Sequence, residues 1–267
     1  MEKSHITYEE HLELICELCK LQLHHLWNWL KKHPEEKFSE GLRNRVDLCR
    51  KTDPNPKHAD IAERNFDTEI WKNLETELNF VYDESKIDGS ADLFEFAAFE
   101  HVQPILAKFA EKTFGSTFKF DEYQCGSLKY DPPSKEEPKV MMFHIGNAVA
   151  PKSIFSDEGY LENCFFDLMK QTEDKFSADT IKTDTWLNSL PKWLEYFPKN
   201  WQSNLGPEHK DVQWHFGFWG QFISAKGTFN PKYAEMLRDT GEFPFYPRAS
   251  HCSFAALKKH LEANLNK

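Results

Sequence analysis

From Thr7 onward, apolar positions at Leu12, Ile15, Cys19, Leu23, Leu26 and Leu30 recur at steps of three and four until Pro34 ends the run. Thr7 with Glu10 three residues on forms a capping box, so this stretch is predicted to be one long amphipathic helix. A weaker helical pattern covers Phe38 to Arg50 and gives way to the breaker-rich Asp53-Pro54-Asn55-Pro56. Further helices are predicted from Asp67 to Tyr82 and from Ser90 to Thr113. The second of these carries Leu93, Phe94, Ala97, Ala98, Val102, Ile105, Leu106 and Phe109 on one side, with Pro104 expected to kink it.

After Gly115 the period changes. Thr117 to Tyr130 alternates approximately at two, a charged turn follows Asp131-Pro132-Pro133, and Lys139 to Ile145 is a compact apolar strand, which together read as a hairpin. Ser156 to Phe176 is helical again, with Leu161, Cys164, Phe165, Leu168 and Met169 inward and Asp157 and Glu158 in the first turn, where the helix dipole favours them. A short strand at Asp179 to Lys182 and helical pieces from Trp186 to Trp201 come next. Val212 to Ser224 then reads as a strand, and a last helix runs from Ser253 to Leu265, capped by Ser250 or Ser253. The expected fold class is α+β: a helical N-terminal domain over 1–115 and a mixed α/β domain with a small, largely antiparallel sheet over 116–267.

Charge sharpens this division. The chain of 267 residues carries a formal charge of −10, but Met1 to Gly115 holds 15 basic and 23 acidic residues, so the acidity belongs to the helical part. Five of the eight Trp (Trp186, Trp193, Trp201, Trp214, Trp219) fall in one C-terminal stretch, which places the expected site in the second half. A net-negative chain without a Lys/Arg cluster argues against nucleic acid as a partner and leaves a small-molecule substrate. Acidic residues interrupt the N-terminal apolar run, so it is not a signal peptide, and no stretch reaches the roughly 20 apolar residues of a membrane span. Six cysteines then read as reduced thiols, and a cytoplasmic location is expected; the oligomeric state is not legible.

Candidate chemistry begins with histidine. Cys16 and Cys19 form a CxxC near His11, His24 and His25, but Cys19 lies on an apolar helix face and no second Cys pair follows at zinc spacing, so core packing is the expected role. Glu100-His101 lacks the Glu-x-x-His pairs a di-iron bundle needs. His144 ends a strand before Gly146-Asn147, His215 sits among aromatics, and His251 precedes Cys252 at the expected start of the last helix. Each is a potential general base or metal ligand, but no HxH or HxD spacing supports a metal, and for any one of them a hydrogen-bonded, half-buried imidazole among aromatics is the reading that comes first. Cys252 is a minor candidate nucleophile, and Arg248 a candidate anion-binding group.

The run Val140 to Asp157, the helix ending at Phe176 and the segment Thr180 to Leu205 resemble the C-terminal part of the GNAT-like acyltransferase domain proteins. The matching residues are His144-Ile145, Pro151, Trp186-Leu187, Phe197-Pro198 and Ser203-Asn204-Leu205, about a quarter of the chain. That family also places a helical domain before its acyltransferase domain. In place of the family's Gly-rich pyrophosphate turn this chain has Ile145 to Ser153, where Gly146, Asn147 and Lys152, together with Arg248, are the implied coenzyme A contacts.

Three readings follow. In the first, acyl transfer from a coenzyme A thioester to an amine, His144 or His215 is the base, N–H groups near Gly146 and Asn147 polarise the carbonyl, and Trp186, Trp214 and Trp219 line the pocket. In the second, one transition metal ion held by His144, His215 and His251, with Asp121 or Asp184, serves an oxidoreductase or hydrolase. The third is a non-catalytic ligand-binding protein with an aromatic cleft.

Overall fold

The computed structural model describes residues 6–56, 65–115, 123–211 and 216–265. Helices α1 (Tyr8–Lys32), α2 (Phe38–Asn44), α3 (Glu69–Asp88) and α4 (Ala91–Thr113) come first. They are followed by β1 (Leu128–Tyr130), β2 (Val140–Ile145), α5 (Tyr160–Phe176) and β3 (Thr180–Thr185). Short helices α6 (Pro191–Leu194), α7 (Lys199–Ser203) and α8 (Phe216–Trp219) lead to α9 (Pro231–Thr240), β4 (Arg248–Ser253) and α10 (Phe254–Leu265). The fold is α+β, mostly helical, with one small mixed sheet. No helix among the described residues is long and apolar enough to cross a membrane.

The chain forms two compact units, one of Met1–Ser116 with Asp211–Pro244, the other of Thr117–Lys210 with Phe245–Lys267. The expected range 116–267 is therefore not one unit, because 211–244 returns to the helices.

In the helical unit the capping box on α1 forms as read: Glu10 N–H donates to Thr7 Oγ1 at 3.2 Å and Thr7 N–H to Glu10 Oε2 at 2.8 Å. Leu21, Leu23, Leu26 and Leu30 of α1 are buried, and α1 and α4 pack along each other. On α4 the inner stripe is Phe94, Ala98, Val102, Leu106 and Ala110, while Leu93 is exposed; the helix continues through Pro104. Helix α2 is shorter than the pattern predicted. It stops at Asn44, and Val46, Leu48 and Cys49 are buried from turns that Asn55 ties together by donating to Asp47 Oδ1 and the Leu48 carbonyl.

The strand expected over Val212 to Ser224 is not one. Residues 212–215 lie outside the described residues, and Phe216 to Phe222 is a helical turn passing into a 3-10 turn. Phe218, Trp219, Gln221 and Phe222 are buried there, a spacing that puts them toward one helical face; in so short an aromatic run a strand period and a helical period look alike.

In the second unit the sheet order is β1-β2-β3-β4. β1 and β2 pair antiparallel as the expected hairpin, with Leu128 opposite Ile145, but of the strand expected over Thr117 to Tyr130 only Leu128–Tyr130 forms β1, and 117–122 lie outside the described residues; α5 carries the chain across to β3, which is parallel to β2. β4, read in sequence as a loop and helix start, instead pairs antiparallel with all of β3, from Thr180 opposite Ser253 to Thr185 opposite Arg248. Met141, Phe143, Ile181, Thr183, Ser250 and Cys252 face the core with Leu161, Phe165 and Leu168 of α5. Ser253 caps α10, accepting the Ala256 N–H. Asp157 and Glu158 precede α5 rather than opening it, and Asp157 pairs with Lys152.

Gly126, before β1, has φ +61°, and a Cβ there would lie 2.7 Å from Cys164 Sγ and 3.1 Å from Tyr160 Oη. Gly126→Ala thus combines left-handed strain with overpacking, and a loss of about 2–4 kcal/mol is expected in urea denaturation. A loss under about 0.5 kcal/mol would mean α5 yields at no cost.

Candidate functional site

Most of the described residues named from the second half lie in the sheet and its turns, where they already have protein partners. His144 Nε2 lies 2.6 Å from Asp131 Oδ2 on the exposed face of the sheet. His251 is in β4, not at a helix start, and its Nε2 is 3.5 Å from Asn204 Nδ2. Lys182 stands opposite both His251 and Met142, so a strand separates the two histidines. Asp184 pairs with His209 Nδ1 at 3.0 Å. His215, Trp214 and Asp121 lie outside the described residues.

The phosphate turn is spent on itself. Gly146 N–H donates to the Ser127 carbonyl, Ala148 N–H to Ser127 Oγ, and Val149 N–H to Asn147 Oδ1. Asn147 Nδ2 donates to the Lys152 carbonyl, and Lys152 Nζ holds both oxygens of Asp157 at 3.0 and 3.1 Å. Arg248 Nε donates to the Gly206 carbonyl. Trp186 stacks on Phe245, and Trp219 is a fully buried core ring of the helical unit rather than a pocket wall. Cys252 is buried, which pushes its thiol up to about 12 and removes it as a nucleophile at neutral pH. All six cysteines are free; in the CxxC segment Cys19 is buried in the core as expected.

The helical unit holds a different constellation. On α1 the positions Glu13, Glu17, Lys20 and His24 follow one another at helical spacing; Asp92 and Glu95, three apart, share a face in the first turns of α4. The packing of α1 on α4 brings His24 to both carboxylates, with Nδ1 3.2 Å from Glu95 Oε2 and 3.5 Å from Asp92 Oδ1. The His24 side chain is 5 % exposed, that of Glu95 13 % and that of Asp92 85 %, so the group is walled on one side and open on the other. Buried as it is, His24 Nδ1 has both carboxylates at ion-pair distance but makes no well-directed hydrogen bond to either. From α9, Arg238 donates to Glu95 through Nη2 to Oε1 at 2.8 Å and Nε to Oε2 at 3.3 Å. Burial alone would push the Glu95 carboxyl up; His24 and Arg238 beside it outweigh that and hold it below the usual carboxylate value, ionised at neutral pH.

The distances discriminate between cations. Donor atoms about 2.1 Å from one metal ion and separated by 3.2 and 3.5 Å would subtend about 100° and 113° at it, on either side of the tetrahedral angle. An ammonium nitrogen about 2.8 Å from the same atoms would see about 70° and 77°, too acute for its tetrahedral N–H directions. One imidazole and two carboxylates are a donor set for Mn2+, Fe2+ or Zn2+. Among the described residues this is the group of three or more His, Cys, Asp or Glu donors close enough to share an ion.

His25, one position on, points instead into the core, against Trp219 and Phe243. Burial, with Lys32 and His24 nearby, pushes its imidazole down to about 3, so it is a neutral core side chain at neutral pH. The sequence reading places His24 only beside the Cys16–Cys19 pair and gives that pair to the core. The signal that separates His24 from His25 is on α4, where the charged Glu95 sits in the turn between Phe94 and Ala98 of the buried stripe. No family model matches the chain, and no curated protein or solved structure does either, so the geometry of this group carries the functional reading.

Proposed function

We propose that this protein is a metal-dependent enzyme, hydrolytic or oxidative, whose ion is held in the helical unit by His24, Asp92 and Glu95. The observation that carries the reading is the buried His24 Nδ1, without a hydrogen bond, set 3.2 and 3.5 Å from two carboxylate oxygens. A bound ion would take Nδ1 and the two carboxylate oxygens as ligands at once. Three protein ligands leave coordination positions on the open Asp92 side for water or substrate. An ion held by His24, Asp92 and Glu95 would supply Lewis-acid chemistry, polarising a carbonyl or phosphoryl oxygen or lowering the pKa of a bound water. Arg238 contributes by holding Glu95 Oε1, which fixes the direction in which Oε2 points.

Titration of the chelator-treated full chain with Zn2+ and with Mn2+, followed by calorimetry, tests the reading. One ion per chain is expected, with an affinity that weakens as pH falls because the ligands must be deprotonated. Absence of saturable binding of either ion at neutral pH would overturn it.

A further inference from the structure

Beside the three ligands, within the helical unit, lies an open cleft of about 390 Å3, at the small end of ligand-binding cavities. The α4 residues Asp92, Glu95, Phe96, Phe99 and Gln103 edge it at helical spacing, so the two metal-side carboxylates and the two rings lie along one stripe. Phe96 is 70 % exposed, which is unusual for a ring beside a charged centre. Lys20, which also lines the cleft, lies over Phe99 with its Nζ 4.7 Å from the ring centroid. We infer, resting on the metal reading above, that this cleft takes a small molecule that joins an aromatic ring to an oxygen donor carrying at most one negative charge.

Each part of that description has its own source. The oxygen donor completes the ion's open positions, which face the cleft because Asp92 and Glu95 line it. The ring lies on Phe96 and Phe99, whose faces are the apolar surface next to those carboxylates. Charge sets the limit. Lys20, Arg238 and a divalent ion match the four carboxylates Glu17, Asp92, Glu95 and Glu100, so the loaded cleft admits a neutral or singly charged donor. Without the ion the same groups are net negative and repel an oxyanion, which makes binding of the small molecule depend on the metal.

Benzohydroxamate and acetohydroxamate, two chelators with the same donor group that differ in the ring, test the inference by calorimetry with the Zn2+-saturated full chain. Benzohydroxamate is expected to bind about tenfold more tightly than acetohydroxamate, a preference that shrinks to about twofold in Phe96→Ala, an exposed position whose truncation leaves the core intact. Binding of benzohydroxamate to the metal-free chain is expected to be undetectable. Equal affinities for the two chelators, a preference unchanged in Phe96→Ala, or binding without Zn2+ would each overturn the aromatic substrate class while Zn2+ binding itself stands. Failure of Zn2+ to bind would instead overturn the metal reading, and the inference with it.

Discussion

His24→Ala is expected to lower the affinity for Zn2+ and Mn2+ by about a hundredfold or more, the largest effect of any single change at the proposed centre. Removing the imidazole leaves one buried and one exposed carboxylate, and two oxygens on neighbouring turns of one helix do not make a tight site for a borderline ion. The substitution also empties a buried position, so a loss of fold has to be separated from a loss of ligand. Asp92→Asn does this, because the Asp92 side chain is 85 % exposed and the amide keeps its shape. It is expected to leave the unfolding midpoint of the metal-free protein unchanged and to weaken ion binding by about tenfold. A second readout follows from linkage: an ion at a hundred times its dissociation constant stabilises the native chain by about 2.7 kcal/mol, and in His24→Ala that increment vanishes. If both variants bind the ions as the unaltered chain does, the site is not at His24, Asp92 and Glu95.

How much of this was legible in the sequence depends on whether the determining contacts are local. The capping box at Thr7 and the inner face of α5 were readable because residues a few positions apart decide them, and the β1–β2 pairing because its partners lie only 13 to 17 positions apart. β4 was not, because Arg248-Ala249-Ser250-His251-Cys252-Ser253 has little strand propensity of its own and becomes a strand by pairing with β3, some 70 residues earlier. Residues 211–244 belong with helices more than 100 positions upstream, and nothing in their own pattern records that. The same holds for the site. The aromatic excess drew attention to the second half, but most of those rings are packed against each other: Phe143, Phe165, Trp193, Phe197 and Trp201 form one buried cluster. His24 figures in the sequence only as a neighbour of the CxxC pair, because its carboxylate partners arrive from α4, 68 and 71 positions along the chain.

Asn188→Leu, in the second unit, is expected to destabilise the protein by about 3–6 kcal/mol although it nearly conserves volume and adds apolar surface. Asn188 is completely buried, and its amide uses its full hydrogen-bonding capacity. Nδ2 donates to the Arg248 carbonyl at 2.7 Å and the Thr183 carbonyl at 3.3 Å; Oδ1 accepts from Trp193 Nε1 at 3.0 Å and Trp201 Nε1 at 3.3 Å. One side chain thus ties β3, β4, α6 and α7 together, and it does so at a place where water cannot substitute for it. Leucine would leave two indole N–H groups and two carbonyls unpaired in the core, each costing about 1–3 kcal/mol before the neighbours relax. Asn188→Asp separates polarity from shape: it keeps the acceptor for both indoles but sets a carboxyl oxygen against the two carbonyls that Nδ2 now serves. If polarity alone sufficed, Asp would be tolerated; with the donor required, it is expected to cost at least as much as Leu, and more at pH 7 than at pH 4, where a neutral carboxyl can donate one hydrogen bond. Urea denaturation followed by tryptophan fluorescence measures all three proteins. A Leu variant within about 1 kcal/mol of the unaltered chain would mean the two tryptophans, packed at 4.0 to 5.1 Å between centroids around Phe197, hold this core without the amide.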